Sequence, residues 1–124
     1  MKRLLFALAL PVLLCGPADA EECGGSTIAV TPCKRCTITG SLTTRRDVAC
    51  IRGYRNNNSN HVVLGYQVAK QASHGRITTS GSSFTYTPAR GYVGTDRFEL
   101  ELDFLTSDKD VMVTILDLTI QVGP

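Results

Sequence analysis

The sequence predicts an all-β fold, a sandwich or an open barrel. Three observations carry that reading. Apolar residues recur at every second position in several runs, turn-forming residues separate those runs at short intervals, and beyond residue 20 no stretch keeps a 3.6-residue apolar repeat over ten residues. Phe98-Glu99-Leu100-Glu101-Leu102-Asp103-Phe104 is the clearest run, with apolar residues at every even position and acids at every odd one. On a helix these side chains would spread around the cylinder. On a strand they divide into one face for a core and one for water.

The chain opens with Lys2 and Arg3, then an apolar run from Leu4 to Leu14 broken by Pro11, then small residues at Ala18 and Ala20. This order reads as a signal peptide over residues 1–20, cleaved before Glu21. The run falls short of the ~20 apolar residues of a bilayer span. Val111 to Val122 is interrupted by Thr114, Asp117, Thr119 and Gln121, so no stable membrane span is expected after cleavage. Cys15 follows Leu14 instead of the small residue of a lipobox and belongs to the discarded segment. Residues 21–124 leave room for a single domain with a periplasmic or secreted destination. The 124-residue chain is 43% hydrophobic and 19% charged, the balance of a folding chain. Its formal charge of +2 makes no global case for nucleic acid.

Cys23, Cys33, Cys36 and Cys50 form an even set in a small exported domain, which reads as a disulfide framework stapling the N-terminal part. Three pairings exist. Loop size favours Cys23–Cys33 with Cys36–Cys50, and Cys23–Cys36 with Cys33–Cys50 is nearly as good. Cys33-Lys34-Arg35-Cys36 also has the spacing of a redox pair, and its two cations would favour the thiolate. Such a pair usually starts a helix, whereas Thr37 to Thr44 favours strand and turn, and two further cysteines are close by to take both thiols. Structural bridging is therefore the expectation. A zinc site would need His61 or His74 to join from far along the chain.

Early strand candidates are Thr27 to Val30, Thr37 to Thr39 and Val48 to Arg52. Val62, Leu64, Tyr66 and Val68 repeat the alternation, as do Phe84 and Tyr86. Met112, Leu116, Leu118, Ile120 and Val122 carry it to the C-terminus. Val111, Val113 and Ile115 have the opposite parity, which implies burial on both faces or a bulge. Turns are expected at Thr31-Pro32, Gly53, Asn56 to Asn60, Ser73 to Gly75, Ser80 to Ser82, Pro88 to Gly94 and Thr106 to Asp110. Asn57 with Ser59 fits a glycosylation sequon, relevant only in a eukaryotic secretory pathway.

Three short motifs follow in order: His74-Gly75-Arg76-Ile77, Phe84-Thr85-Tyr86-Thr87-Pro88, and Gly91-Tyr92-Val93-Gly94-Thr95-Asp96-Arg97-Phe98. Over about Ala72 to Phe104 this series resembles the bacterial Ig-like, cadherin-like repeat. The resemblance implies a Greek-key Ig-like sandwich of about seven strands, with an adhesive or spacer role and no catalysis. Within it, His74-Gly75 is expected to be a tight turn with Gly75 at positive φ. Phe84 and Tyr86 would fill the sandwich, Pro88 would end a strand, Gly91 and Gly94 would bend the next loop, and Asp96 would accept backbone hydrogen bonds. The sequence departs from the repeat in having Ala72 where Pro is common, a single copy, and four cysteines without counterpart.

Charge is lopsided. Ten Lys or Arg stand against Asp47 and Asp96 between Lys34 and Arg97, whereas six acids stand against Lys109 from Phe98 onward. Cross-strand pairing would absorb much of this. Arg45, Arg46, Arg52 and Arg55 are the candidate basic face, suited to an anionic envelope polymer or an acidic protein partner. Asp103, Asp108, Asp110 and Asp117 raise calcium, but no EF-hand spacing is present and a polar hairpin loop accounts for them. No G-x-S-x-G, H-E-x-x-H or phosphate-binding glycine loop occurs, so no enzyme and no cofactor is expected. The sequence thus points to an exported non-catalytic binding or structural module. The alternative is a small thiol-active or zinc-binding exported protein using Cys33 and Cys36.

Overall fold

The computed structural model describes residues 20–26, 28–30, 33–53 and 61–124. The leader, Arg55 and the Asn57 sequon lie outside the described residues. Nine strands run in order: β1 (Glu21–Glu22), β2 (Gly24–Gly25), β3 (Arg35–Arg45), β4 (Cys50–Gly53), β5 (His61–Lys70), β6 (Gly75–Ser80), β7 (Ser83–Pro88), β8 (Gly94–Thr106) and β9 (Val111–Gly123). The strand count therefore exceeds the expected seven by the two-residue strands β1 and β2. They build two sheets, of order β1-β4-β7-β6 and β2-β3-β9-β8-β5. β4, β6 and β7 lie in one sheet and β5, β8 and β9 in the other, so from β4 onward the chain crosses between layers three times, at β4–β5, β5–β6 and β7–β8, as Greek-key connections do.

The alternation sets this architecture. Phe98, Leu100, Leu102 and Phe104 of β8 are fully buried, and Leu116, Leu118, Ile120 and Val122 of β9 join them. Phe84 and Tyr86 close the core from the four-stranded sheet, with ring centroids 5.9 Å and 5.8 Å from Phe98. β8 and β9 pair without interruption from Gly94↔Val122 to Leu105↔Val111. The opposite-parity residues Val113 and Ile115 are half-buried on the outer face, with no bulge between β8 and β9.

Three expectations need correction. Val62 and Leu64 do not face the core: they are 57% and 53% exposed. The register of β5 against β8 shifts between Val63 and Gly65, which inserts Leu64 and puts Val63 opposite Phe104 instead. Gly75 does not adopt positive φ. It begins β6, where an added Cβ would lie 2.7 Å from both the Thr87 carbonyl and the Tyr86 ring. Close approach, and not backbone handedness, calls for glycine there. Residues 28–30 form no strand, although Ile28 and Val30 pack against the core.

The disulfides adopt the pairing that loop size did not favour. Cys23 joins Cys50 and Cys33 joins Cys36. The reason is the parallel pairing of β1 with β4, which places Glu22 beside Ile51 and brings Cys23 within 4.7 Å of Cys50, Cα to Cα. Both sulfurs of this bridge sit in the core.

Candidate binding surface

Asp47 organises one end of the sandwich. It occupies the turn after β3 with φ of 62°, and its Oδ1 accepts a 2.7 Å hydrogen bond from the Gly91 N–H in the loop between β7 and β8. Gly91 itself has φ of 77°. This contact joins the two backbone segments that carry Arg46 and Arg90, which are both exposed. Arg46 N–H donates to the Gly123 carbonyl at 2.6 Å, which ties the same turn to the end of β9. Arg45 closes β3 beside it, and its guanidinium meets Glu21 at 3.0 Å. Arg76, exposed on the outer face, lies opposite Thr87 near the same end.

An aromatic pair adjoins these cations. The rings of His74 and Tyr92 stack with centroids 4.3 Å apart and planes 3° from parallel. The Tyr92 hydroxyl donates to the Thr95 carbonyl at 2.6 Å, and Ala89 N–H donates to the His74 carbonyl at 2.8 Å. The turn between β5 and β6 and the loop between β7 and β8 are thus held as one surface. Cations on a fixed frame beside an exposed ring are the chemistry that meets extended anionic chains.

The expected face of Arg45, Arg46, Arg52 and Arg55 is not assembled among the described residues. Arg52 sits opposite Phe84 on the inward side of β4. Its Nη2 donates to the Cys23 and Gly24 carbonyls at 2.9 Å and 3.4 Å, and its Nη1 to the Ser26 carbonyl at 3.3 Å. It anchors the N-terminal segment. Arg45 and Arg46 remain on the surface, with Arg46 3.9 Å from Asp47. Arg76 and Arg90 are not legible in the sequence as part of this face, because they lie 30 and 44 positions beyond Arg46 and only the sheet order brings β6 and the β7–β8 loop to that end.

The acids disperse. Asp108 and Asp110 lie in the turn between β8 and β9, Asp103 lies on β8, and Asp117 is engaged by Arg97. Among the described residues no group of three or more His, Cys, Asp or Glu could hold a metal ion. His61 and His74 stand at the starts of β5 and just before β6 and do not meet the cysteine pair at a metal site. Asp117 and Arg97 border a shallow groove of about 390 Å³ on the outer face of the five-stranded sheet, where Thr39, Ser41 and Thr119 supply hydroxyls. The Arg97 guanidinium, bonded through Nε at 2.8 Å, holds the Asp117 carboxyl below the usual carboxylate range. The Arg97–Asp117 pair balances the charge of this groove, whereas the basic end sets Arg45, Arg46, Arg76 and Arg90 against Glu21 and Asp47.

No protein-family model matches the chain, and no curated protein matches it in sequence.

Proposed function

We propose that the chain is an exported, non-catalytic Ig-like sandwich that binds an anionic envelope polymer or acidic protein through its basic end. One observation carries the reading: the Asp47–Gly91 hydrogen bond joins the turn that carries Arg46 to the loop that carries Arg90, with Arg45 and Arg76 on the adjoining strands. The strand order supports the Ig-like part, since β4, β7 and β6 facing β5, β8 and β9 follow the order of immunoglobulin-type sandwiches. Two disulfides and the basic-apolar leader support export.

Retention on immobilised polygalacturonate and polyglutamate tests the reading. The native protein binds at low salt and elutes as salt rises, because exposed charges are screened. Arg46→Glu with Arg90→Glu elutes near the void volume. Arg97→Glu, which changes the groove face, elutes like the native protein. Equal elution of all three would overturn the assignment.

A further inference from the structure

Cys33–Cys36 differs from the other bridge in burial, loop length and neighbouring charge. Cys23 and Cys50 are 2% and 1% exposed and link residues 27 apart. Cys33 and Cys36 are three apart, half-buried, and separated by the exposed cations Lys34 and Arg35. Because Cys23 and Cys50 hold each other, neither is available to pair with the second couple. A bridge closing so short a loop restrains the unfolded chain little, so the fold has small need of it.

A second observation points at the same sulfurs. Thr114 on β9 is fully buried, yet its Oγ1 has no hydrogen-bond partner among the described residues. Buried hydroxyls are seldom left so. Thr114 is the register partner of Cys36 across the parallel β3–β9 pair, so the two side chains share the inward face. A thiolate at Cys36 would supply the acceptor that this hydroxyl lacks.

We propose that Cys33–Cys36 is a thiol–disulfide exchange site for the dithiol of an exported protein, with Thr114 stabilising the leaving sulfur. A thiolate of the partner attacks Sγ of Cys33, two residues before β3 begins. A mixed disulfide forms, and the electron pair of the broken S–S bond departs on Sγ of Cys36. The Thr114 hydroxyl donates to that thiolate, and Lys34, between the two sulfurs, offsets its charge. The partner's second thiol gives up its proton and attacks the partner sulfur of the mixed disulfide, releasing Cys33. Cys33 and Cys36 each take up one proton. The partner is oxidised to a disulfide and the pair is reduced by two electrons. The exchange is a single stoichiometric event and not turnover, and the site owes nothing to the basic end.

Dithiothreitol serves as the probe on the full chain, with alkylation and peptide mass mapping as readout. Labels are expected at Cys33 and Cys36 under conditions that leave Cys23–Cys50 intact and the circular dichroism unchanged. Thr114→Val slows that labelling about tenfold, the worth of one hydrogen bond to a charged group, while its thermal midpoint does not fall. Thr114→Ser restores the rate. A Cys33–Cys36 bridge that resists until Cys23–Cys50 is also reduced, or a Thr114→Val chain that exchanges at the native rate, would overturn the proposal.

Discussion

The phenol of Tyr86 donates a 2.8 Å hydrogen bond to Oδ2 of Asp96 inside the sandwich. Asp96 is itself 3% exposed and also accepts the N–H groups of Ser73 at 3.0 Å, His74 at 3.0 Å and Arg97 at 2.9 Å. One carboxylate therefore joins β7, β8 and the turn between β5 and β6. It also positions His74, whose ring stacks on Tyr92 at the basic end. Core and surface are linked through this residue.

Asp96→Ala leaves several buried donors unpaired and is expected to cost about 3–5 kcal/mol. Tyr86→Phe removes one donor and leaves the carboxylate its backbone partners, for a cost of about 1–3 kcal/mol. Urea denaturation at neutral pH gives both values, and a larger loss for Tyr86→Phe would reverse the assigned hierarchy.

Burial, and then the Asp96 carboxylate, push the Tyr86 phenol far above its ordinary value of 10.0. The unfolded chain ionises at that ordinary value while the folded chain does not. The stability carried by the neutral phenol is therefore complete below pH 10.0 and declines as pH rises beyond it. The urea midpoint of the native protein is expected to fall above that pH, and that of Tyr86→Phe to fall less.

Two carboxylates on the outer face of the five-stranded sheet shift in opposite directions. A hydrogen bond with Asp103, then burial, raise Glu101 above its ordinary 4.5. Its contribution is present below that value and is lost as pH climbs through the folded one. Arg97 lowers Asp117 below its ordinary 3.8, so that contribution is present above 3.8 and disappears as pH drops. Carboxyl-carbon NMR titration should show Glu101 titrating at the higher pH of the two. Arg97→Gln should return Asp117 toward 3.8 and leave Glu101 in place.

The two bridges should differ in worth. Replacing Cys23 and Cys50 by Ala removes a long-loop restraint of about 3–4 kcal/mol, whereas replacing Cys33 and Cys36 removes about 2 kcal/mol or less. Denaturant unfolding of the two double variants checks the order.

The sheet positions were readable because burial follows period two: Phe98 to Phe104 and Leu116 to Val122 needed only their own neighbours to place their faces. What stayed hidden depended on residues distant in sequence. The bulge at Leu64 reverses the faces of β5, and the glycine that accompanies it, Gly65 with φ of 141°, shows its role only once the β8 register is known. Gln71 reads as a loop residue, yet its amide pairs both backbone groups of Ile77 at the outer edge of β6. That contact blunts an otherwise open strand. Cys23–Cys50 follows from a parallel β1–β4 contact that loop-length reasoning does not see. Arg52 reads as a surface cation, but its place in register opposite Phe84 turns it inward. Arg90 joins Arg46 only through Asp47 and Gly91.

Backbone amide NMR during titration with polygalacturonate locates the contact on the protein directly. The basic-end assignment predicts shift changes concentrated at Arg45, Arg46, His74, Arg76, Arg90 and Tyr92, weakening as salt is added. Changes centred on Thr39, Asp117 and Thr119, or a spectrum unchanged at saturating polymer, would contradict it.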